Sequence, residues 1–436
     1  MDFDESVRYL YSLGNEVEAM KLGLDNIRKL LAALNDPQNN YLKVQIAGTN
    51  GKGSVCAFLN SICLEANIKT GVFSSPHLIS ITERVKIDGC DISEADFAHN
   101  ASHVREIAER LVASRELETT PTFFEQVTAI ALHAFAEAKV ELAILETGLG
   151  GRLDATTAAN AEIAAITRID LDHQEYLGDT IEEIAAEKAA IIHQGSRVAL
   201  GEQDIEVKRL LLERCAKFSI EPKLASRFEG GNTTGRECVI LSQVETHSLP
   251  LVFPPLTLGL KGRHQVENAN VAVAVADKLR SRFTISDEYI LAGLKNARHP
   301  GRLEYQGRYL FDGAHNVGGA KALRDFLNEF EIRPVTIIFG AMKDKDVGRI
   351  LEILQPKAEY LILTQPKNER ALSVTELGEF VTKSFDRERL FPMETVADAL
   401  AKADEITGEN GIILITGSLY LVGEAKKILN NVRQTA

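Results

Sequence analysis

The most informative stretch of the chain reads Val44-Gln45-Ile46-Ala47-Gly48-Thr49-Asn50-Gly51-Lys52-Gly53-Ser54. A short apolar strand runs into a glycine-rich turn, and a segment with helical periodicity follows. Such a junction binds anions, because the first N–H groups of a helix have no internal partner and glycines let the backbone approach a phosphate closely. Lys52 adds a positive charge for the outer phosphates of a nucleotide, and Ser54 can face a magnesium ion. We therefore predict a phosphate-binding loop over residues 48–54.

The spacing within this loop departs from the common phosphate-binding pattern. Two residues separate Gly48 from Gly51, and Gly53 stands between Lys52 and Ser54, whereas the common loop reads G-x-x-x-x-G-K-[ST]. A glycine-rich turn that binds nothing is the simpler alternative. The agreement of strand, loop, lysine and following helix favours the phosphate-binding loop.

Length, charge and cysteine content narrow the classes of protein. The 436 residues exceed one ordinary core and predict two domains. A net charge of −13 argues against nucleic acid as a partner but allows small anionic ligands bound by local cations. No apolar run could span a membrane, and the acidic N-terminus lacks a signal-peptide core. Five scattered cysteines without a Cys-x-x-Cys pair predict buried free thiols in a reducing environment. We expect a cytoplasmic monomer without a membrane partner.

Strand and helix signals alternate along the chain, which indicates an α/β fold with mostly parallel sheets. Residues 2–34 look helical by the spacing of their polar and apolar positions, and a small β-meander is predicted over residues 228–257. The Pro/Gly-broken, basic stretch Asn296–Arg302 suits a linker. We therefore predict an N-terminal P-loop ATPase domain (residues 1–297) and a smaller C-terminal Rossmann-like α/β domain (residues 298–436). No G-x-G-x-x-G follows a strand in the second domain, so we expect no dinucleotide there.

Polar side chains follow further predicted strands of the first domain. Ser75, Glu146 and His173 come after the strands at 70–73, 140–145 and 163–169, and open parallel sheets bind ligands beyond such carboxyl ends. Magnesium prefers hard oxygen ligands, which Ser75 and Glu146 supply. Glu146 could instead cap a helix, and a lone histidine such as His173 is more often satisfied by loop neighbours.

Lys188 is an unusual residue on a predicted helix that a capping box at Thr180–Glu183 opens. Ile181, Ile184 and Ile191 form the apolar face of this helix, and Lys188 lies on the same stripe. A buried lysine is costly unless its charge is paired or lost. A neutral amine near a metal could add carbon dioxide and become a carbamate, an anionic ligand. The alternative is a lysine that extends to the edge of the stripe.

In the second domain, Asp312 leaves a predicted strand, Tyr309–Phe311, in a turn. His315 follows three residues later, so both side chains could face one pocket. An Asx-turn beside an exposed histidine is the alternative.

These motifs together resemble the Mur ligase superfamily, and specifically folylpolyglutamate synthase/dihydrofolate synthase. The resemblance runs in family order from about residue 22 to 423, and the phosphate loop alone would indicate only the superfamily. One matching segment is Glu146-Thr147-Gly148-Leu149-Gly150-Gly151-Arg152-Leu153-Asp154-Ala155-Thr156, and another is Asp312-Gly313-Ala314-His315-Asn316. The stretches Gly148–Thr156 and Asp312–Asn316 narrow the resemblance to the folate branch. The other matching segments are Ser74–Leu78, Leu171–His173, Glu187–Ala189 and His299–Glu304.

The resemblance implies ATP-dependent amide synthesis. The γ-phosphoryl group of ATP would pass to the carboxylate of dihydropteroate or of a (tetrahydro)folate glutamate tail, and the amine of L-glutamate would attack the acyl phosphate. A chain that only extends the glutamate tail is the alternative. Two polyanions must meet in this reaction, so correct positioning and nearby cations would lower the barrier. Water must be excluded, because an acyl phosphate hydrolyses in water. The linker at Arg298–Arg302 is our hinge candidate.

The resemblance also implies roles for individual residues. ATP would be held by the loop residues Gly48, Thr49, Asn50, Gly51, Lys52, Gly53 and Ser54, and by Asn268, Arg302 and Asp312. Two magnesium ions would be held by Ser75, Glu146, His173 and a carbamylated Lys188. The catalytic residues would be Lys52, Lys188, Asp312 and His315. The segments that hold dihydropteroate include Phe124, Arg152 and Asp154: a pterin could stack on Phe124, although such aromatics are more often core, and Asp154 could accept two parallel hydrogen bonds.

Two rival functions stay open at this point. Another Mur-type ligase acting on a cell-wall precursor would carry a separate N-terminal nucleotide-sugar domain, for which residues 1–40 are too few. A nucleotide-dependent switch is the second rival, since Thr167-Arg168-Ile169-Asp170 faintly resembles a guanine-reading loop. The arginine in that stretch and the unusual phosphate loop weaken this reading.

Overall fold

The computed structural model describes residues 1–14, 23–225, 241–242, 251–252 and 257–435. These residues fall into two compact units. The first unit comprises residues 1–14, 23–225, 241–242, 251–252, 257–259 and 266–298, and the second comprises residues 260–265 and 299–435. Most of the predicted β-meander lies outside the described residues, as does Cys238.

The first unit is built on one mostly parallel sheet. Its eight strands among the described residues are β1 (Leu42–Ala47), β2 (Thr70–Phe73), β3 (Val85–Ile87), β4 (Cys90–Asp91), β5 (Leu142–Glu146), β6 (Ile163–Ile166), β7 (Arg197–Leu200) and β8 (Lys223–Leu224). Their order is β4-β3-β2-β5-β1-β6-β7-β8, and the antiparallel pairs are β2 with β3 and β3 with β4. A two-stranded antiparallel ribbon joins β9 (Leu241–Ser242) to β10 (Leu251–Val252).

The helices of this part of the chain are α1 (Phe3–Ser12), α2 (Asp25–Ala33), α3 (Lys52–Glu65), α4 (Glu94–Ala113), α5 (Phe123–Glu137), α6 (Gln174–Leu177), α7 (Ile181–Ala189), α8 (Ile205–Lys217), α9 (His264–Leu279) and α10 (Asp287–Asn296). Nearly every side chain of α5 is buried, and its aromatic residues join a core cluster with α4. A second cluster packs α7 and α8 against β6 and β7. The apolar strands are therefore covered by helices, as a parallel sheet requires.

The second unit is a smaller α/β body. Its strands are β11 (Glu304–Gln306), β12 (Tyr309–Phe311), β13 (Val335–Phe339), β14 (Tyr360–Thr364), β15 (Leu390–Met393) and β16 (Ile412–Thr416), ordered β11-β12-β16-β13-β14-β15. All neighbouring pairs except β11 with β12 run parallel. Its helices are α11 (Val317–Phe330), α12 (Val347–Leu354), α13 (Val374–Glu379), α14 (Val396–Ile406) and α15 (Leu419–Thr435). The predicted fold class is confirmed for both units.

Two expectations were wrong. Residues 2–34 are not helical throughout, because within the described part of this stretch α1 ends before Gly14 and α2 begins after Gly23, and both glycines adopt positive φ. The thiol of Cys90 is exposed in a hairpin, whereas those of Cys56, Cys63 and Cys215 are buried and free as expected. No helix in the described part of the chain has the length and apolar character needed to cross a membrane.

Close packing of α10 on α3 yields a stability prediction. A Cβ atom on Gly293 would overlap backbone atoms of Ile62, so these helices approach at a position where only glycine fits. Gly293→Ala is expected to lower the free energy of unfolding by about 1–3 kcal/mol through overpacking, measured by denaturant or thermal melting of the full chain. Gly378→Ala is the matched control, because nothing lies within 4 Å of the added atom. Equal melting of the two variants would contradict the prediction.

Candidate active site

Four strand ends of the first unit define the site. The chain leaves β1 into the loop at Gly48, β2 towards Ser75, β5 at Glu146 and β6 at Thr167. These strands are neighbours in the order β2-β5-β1-β6 and all run parallel. Their carboxyl ends therefore meet at one edge of the sheet, where open α/β sheets bind ligands.

The phosphate loop is shaped by close approach of two side chains. Gly48 and Gly51 have φ of 151° and 91°, and a Cβ atom on either would overlap the side chain of Thr167 or Asn268, respectively. The amides of Thr49 and Asn50 both donate to the carbonyl oxygen of Arg168, at 2.9 and 3.3 Å. The first N–H groups of α3, which begins at Lys52, have no intrahelical acceptors. These amides would therefore bind a phosphate at the start of the helix.

Lys52 lies over its own loop. Its Nζ donates to the carbonyl oxygens of Gly48 and Thr49 at 3.1 and 3.2 Å. Ser54, two residues further on, is buried in the first turn of α3. The lysine ammonium is therefore already held beside the amides that would receive a phosphate.

Lys188 is buried rather than extended to solvent, because only 4% of its surface is exposed. It lies near the end of α7, and its Nζ donates to the carbonyl oxygen of Gly48 at 2.9 Å. Burial, followed by the charge of Lys52, lowers the pKa of Lys188 to about 7, although nearby carboxylates, chiefly Asp172, oppose the shift. The amine of Lys188 therefore loses its proton more readily than that of an ordinary lysine.

Of the predicted metal ligands, Ser75 and Glu146 are in contact with each other. Glu146 is buried, and its Oε2 accepts the amide of Ser75 at 3.2 Å. His173 precedes α6 with a φ of 52°, and its amide donates to Oδ1 of Asp172 at 2.9 Å. Among the described residues, no group of three or more His, Cys, Asp or Glu side chains is arranged to hold a metal ion. The predicted set contains only two residues of those types.

The predicted substrate residues have internal contacts. Asp154 is fully buried and accepts four hydrogen bonds of 2.5–3.0 Å from the amides of Gly148, Leu149 and Thr156 and the hydroxyl of Thr156. Burial raises the pKa of Asp154, although these donors oppose the shift. Four bonds fill the acceptor capacity of a carboxylate, so Asp154 holds its own loop together.

Phe124 and Arg152 differ in exposure. Phe124 is 6% exposed, belongs to the core cluster, and contacts the ring of Phe73 with centroids 5.8 Å apart. Most of the surface of Phe124 is therefore buried in the core, as the alternative interpretation expected. The edge of its ring lies against Gly148 in the site loop. Arg152 is exposed and pairs with Glu187, at 2.8 Å between Nε and Oε1. That pair links the site loop to the residue preceding Lys188.

In the second unit, Asp312 is buried after β12 and accepts the amides of Leu303 and Ala314 at 3.0 Å each. Burial raises the pKa of Asp312, although the charge of Arg302 and the two amides oppose the shift. The carbonyl of Gly313 lies 2.8 Å from Nδ1 of His315. This contact requires an Nδ1–H donor, which leaves Nε2 of a neutral His315 as an acceptor.

The support that residues 167–170 give to the phosphate loop was not predicted, although this stretch was considered as a guanine-reading loop. The segment 167–170, which follows β6, forms a dense set of hydrogen bonds with Thr49 and Asn50. Gln203, in the loop after β7, fixes this segment in turn through Ile169 and Thr167. The signal available in the sequence was its position directly after a predicted strand, whereas the pairing of that strand, β6, with β1 is seen only in the fold.

Comparison with known proteins identifies the class. The model of the Mur ligase middle domain matches residues 46–276, and that of the Mur ligase glutamate ligase domain matches residues 301–419. These two domains in this order define a Mur-type ligase. The dihydrofolate synthase/folylpolyglutamate synthase of Bacillus subtilis is 31% identical over 94% of this chain and 95% of its own length. The chain belongs to the folylpolyglutamate synthase/dihydrofolate synthase family of Mur ligases, which confirms the resemblance and favours a ligase over a nucleotide switch.

Further relatives and solved structures agree. A Haloferax volcanii protein described as a probable bifunctional folylpolyglutamate synthase/dihydropteroate synthase is 32% identical over 98% of this chain, which spans about half (50%) of that relative's length. E. coli FolC in complex with DHPP and ADP superposes with a TM-score of 0.85 at 27% identity, covering 99% of both chains. The Yersinia pestis bifunctional enzyme complexed with AMPPNP and Mn ion gives 0.82 at 28% identity, covering 99% of this chain and 98% of that one.

Proposed function

We propose that this protein is an ATP-dependent amide ligase that joins L-glutamate to dihydropteroate and to the glutamate tails of reduced folates through an acyl phosphate. The observation that carries the proposal is a phosphate loop whose Gly48 carbonyl receives both Lys52 and the buried Lys188. This arrangement sets a cation and a second, readily deprotonated amine beside one anion site. The relatives with bound ADP, AMPPNP and DHPP support the same substrates for this chain.

The phosphate loop would bind and orient the nucleotide. Amides at the start of α3 and the ammonium group of Lys52 would hold the outer phosphates, while Asn268, which lies against Gly51, would contact the nucleotide. In the transfer step the carboxylate oxygen attacks the γ-phosphorus, the bond to the β-phosphate oxygen breaks, and ADP leaves. The amine of glutamate then attacks the acyl carbon, loses a proton and expels phosphate. Positive groups around the loop lower the repulsion between the two anions.

Ser75 and Glu146 suit a magnesium ion, because the buried carboxylate of Glu146 contacts the amide of Ser75 beyond the ends of β2 and β5, and a carboxylate and a hydroxyl are both hard oxygen ligands. We propose that these two residues and His173 hold magnesium, and that Lys188 serves a second ion. Bound magnesium would neutralise phosphate charge during transfer. The manganese complex of the Yersinia pestis relative supports the use of a divalent ion.

We propose that Lys188 acts as a carbamate. Its neutral nitrogen attacks the carbon of carbon dioxide, and one proton leaves, so a buried cation becomes a buried anion. The low pKa, about 7, supplies the neutral amine that this reaction needs. The resulting carboxylate could coordinate a metal ion, which an ammonium group cannot do.

The remaining roles are proposed on the same basis. The ATP-binding domain would comprise residues 1–297 and the glutamate-ligase domain residues 298–436, with Arg302 contacting nucleotide and His315 acting on the acyl phosphate. Asp312 would keep the turn beside them in place, since its carboxylate already binds two backbone amides. Asp154 would shape the pterin site through its loop, while Phe124 and Arg152 border it. Three buried free thiols support a cytoplasmic location, and we expect a monomer.

The test is an assay of the purified protein with ATP, magnesium and glutamate, offering dihydropteroate or tetrahydrofolate in parallel. We expect ADP release only when a pterin acid and glutamate are both present, with both acids lengthened. Lengthening of tetrahydrofolate alone would indicate the monofunctional form. ADP release without any lengthened pterin product would refute the proposal.

A further inference from the structure

The segment 167–170 lies against the phosphate loop and forms hydrogen bonds with Thr49 and Asn50. The carbonyl oxygen of Arg168 accepts the amides of Thr49 and Asn50, and the hydroxyl of Thr167 donates to the carbonyl oxygen of Asn50 at 2.7 Å. The phosphate loop is therefore fixed by residues that are distant from it in sequence and that come into contact with it only in the folded chain.

Asp170 contributes both main-chain and side-chain bonds to this contact. The hydroxyl of Thr49 donates to its carbonyl oxygen at 2.9 Å and accepts its amide at 3.0 Å. Its carboxylate is divided between two partners: Oδ2 accepts Nδ2 of Asn50 at 3.0 Å, and Oδ1 accepts Nε of Arg168 at 3.2 Å. Both oxygens of this carboxylate thus have a partner within the contact.

The segment is also fixed from its other side. Nη2 of Arg168 lies 3.1 Å from Oδ1 of Asp204, and the side chain of Gln203 receives the amide of Ile169 at 3.0 Å and donates to the carbonyl oxygen of Thr167 at 2.7 Å. The loop after β7 therefore fixes residues 167–170, and these residues in turn fix the phosphate loop. Such a chain of contacts can set a loop's shape before its ligand arrives.

A carboxylate beside an anion-binding loop has an electrostatic cost, because like charges repel. At Asp170 that cost is reduced by Arg168 and by the amide of Asn50, and what remains must be outweighed by a benefit to the loop. The benefit that these contacts can supply is preorganisation, since a loop already held in its binding shape loses less conformational freedom on binding.

We propose that Asp170 is a positioning residue for the nucleotide: it holds Thr49 and Asn50 so that the amides at the start of α3 face the phosphates. The inference rests on the proposed function, because it assumes that a nucleotide occupies this loop. Asp170 itself touches no reacting atom. Its effect should therefore appear in nucleotide affinity more than in the rate of the chemical step.

The test is nucleotide binding to the full chain, measured by calorimetry with ADP and magnesium, together with steady-state kinetics. Asp170→Ala is expected to weaken ADP binding and raise the KM for ATP about tenfold, equivalent to about 1.4 kcal/mol, with kcat and the KM for glutamate nearly unchanged. Asp170→Asn keeps an oxygen that can accept Nδ2 of Asn50, so it should recover most of the affinity. A purely structural residue would not produce this selective change in KM or its rescue.

Glu213→Gln is the matched control, because it removes the charge of an exposed ion pair with Arg209 on α8 but leaves the contact of Asp170 with Asn50 intact. Its affinity for ADP should match that of the wild type. The inference is overturned if Asp170→Ala binds ADP as tightly as the wild type, if Asp170→Asn is as weak as the alanine variant, or if all three substrates lose affinity alongside a lower melting temperature. A wild-type chain that binds no nucleotide would instead refute the proposed function, and this inference with it.

Discussion

Lys188→Ala is expected to reduce amide formation on the order of a thousandfold, similar to the loss of a strong electrostatic contact in a transition state. The reason is that alanine cannot form the carbamate, and the carboxylate that would serve the second metal ion is lost. ADP should still bind, since the phosphate loop keeps Lys52 and the amides of α3. Short carboxylates such as formate or acetate should restore part of the activity by entering the space left by the side chain. Initial rates with and without these anions provide the measurement.

Lys188→Arg separates the carbamate from a simple positive charge. Arginine stays protonated and cannot add carbon dioxide, so this variant should be inactive and should not respond to carboxylates. Full activity of either variant, together with a native mass that shows no added carbon dioxide on the wild type, would contradict the proposed role.

The low pKa of Lys188 also predicts the pH dependence of the modification. Burial lowers the pKa to about 7, so the amine is mostly charged below this pH and mostly neutral above it. At fixed dissolved carbon dioxide, the carbamate fraction should therefore rise between about pH 6 and pH 8. Carbon-13 NMR with labelled bicarbonate measures that fraction, and a fraction that falls with rising pH would contradict the assignment.

Lys52→Ala is the second substitution with a large expected effect. Loss of the ammonium group beside the outer phosphates should lower kcat/KM for ATP by roughly a hundredfold to a thousandfold. The fold should survive, because the hydrogen bonds of Nζ of Lys52 within the described residues go to carbonyl oxygens of its own loop. Circular dichroism and thermal melting check the fold, and coupled ADP release measures the rate. Near-normal activity in a folded variant would remove the phosphate loop from the account.

The site was predictable where chemistry and local structure coincide in a contiguous stretch. The phosphate loop carries its strand, glycines, lysine and helix within eleven residues, Val44 to Ser54. The neighbouring positions of Ser75 and Glu146 followed from a general rule, because parallel strands end at one edge of their sheet. Lys188 was singled out because an ionisable group on an apolar stripe needs a physical reason.

Contacts between distant segments could not be read in the same way. The hydrogen bond between Asp170 and Asn50 joins residues that are 120 positions apart in the sequence. It depends on β6 lying next to β1, which no local pattern specifies. The four bonds to Asp154 depend on the path of its own loop, so a carboxylate that suits a ligand by type is occupied by backbone amides. In both cases residue type indicates what a side chain can bind, and the fold determines what it meets.

One missed element did have a local signal. Asp88-Gly89 separates β3 from β4, and both residues have positive φ, at 51° and 81°. An Asp-Gly pair between two short strands is typical of a tight hairpin. The brevity of β3 and β4 hid the alternation that normally supports this assignment, so the antiparallel edge of the first sheet was absent from the expected fold.

The most direct test of the central claim is oxygen transfer from the acid to phosphate. A pterin acid with oxygen-18 in the reacting carboxyl group is turned over with ATP, magnesium and glutamate, and the inorganic phosphate and the amide product are analysed by mass spectrometry. Activation as an acyl phosphate predicts that one labelled oxygen enters phosphate in each turnover while the other stays in the new amide. Phosphate that carries no label, formed alongside normal amide product, would contradict the account.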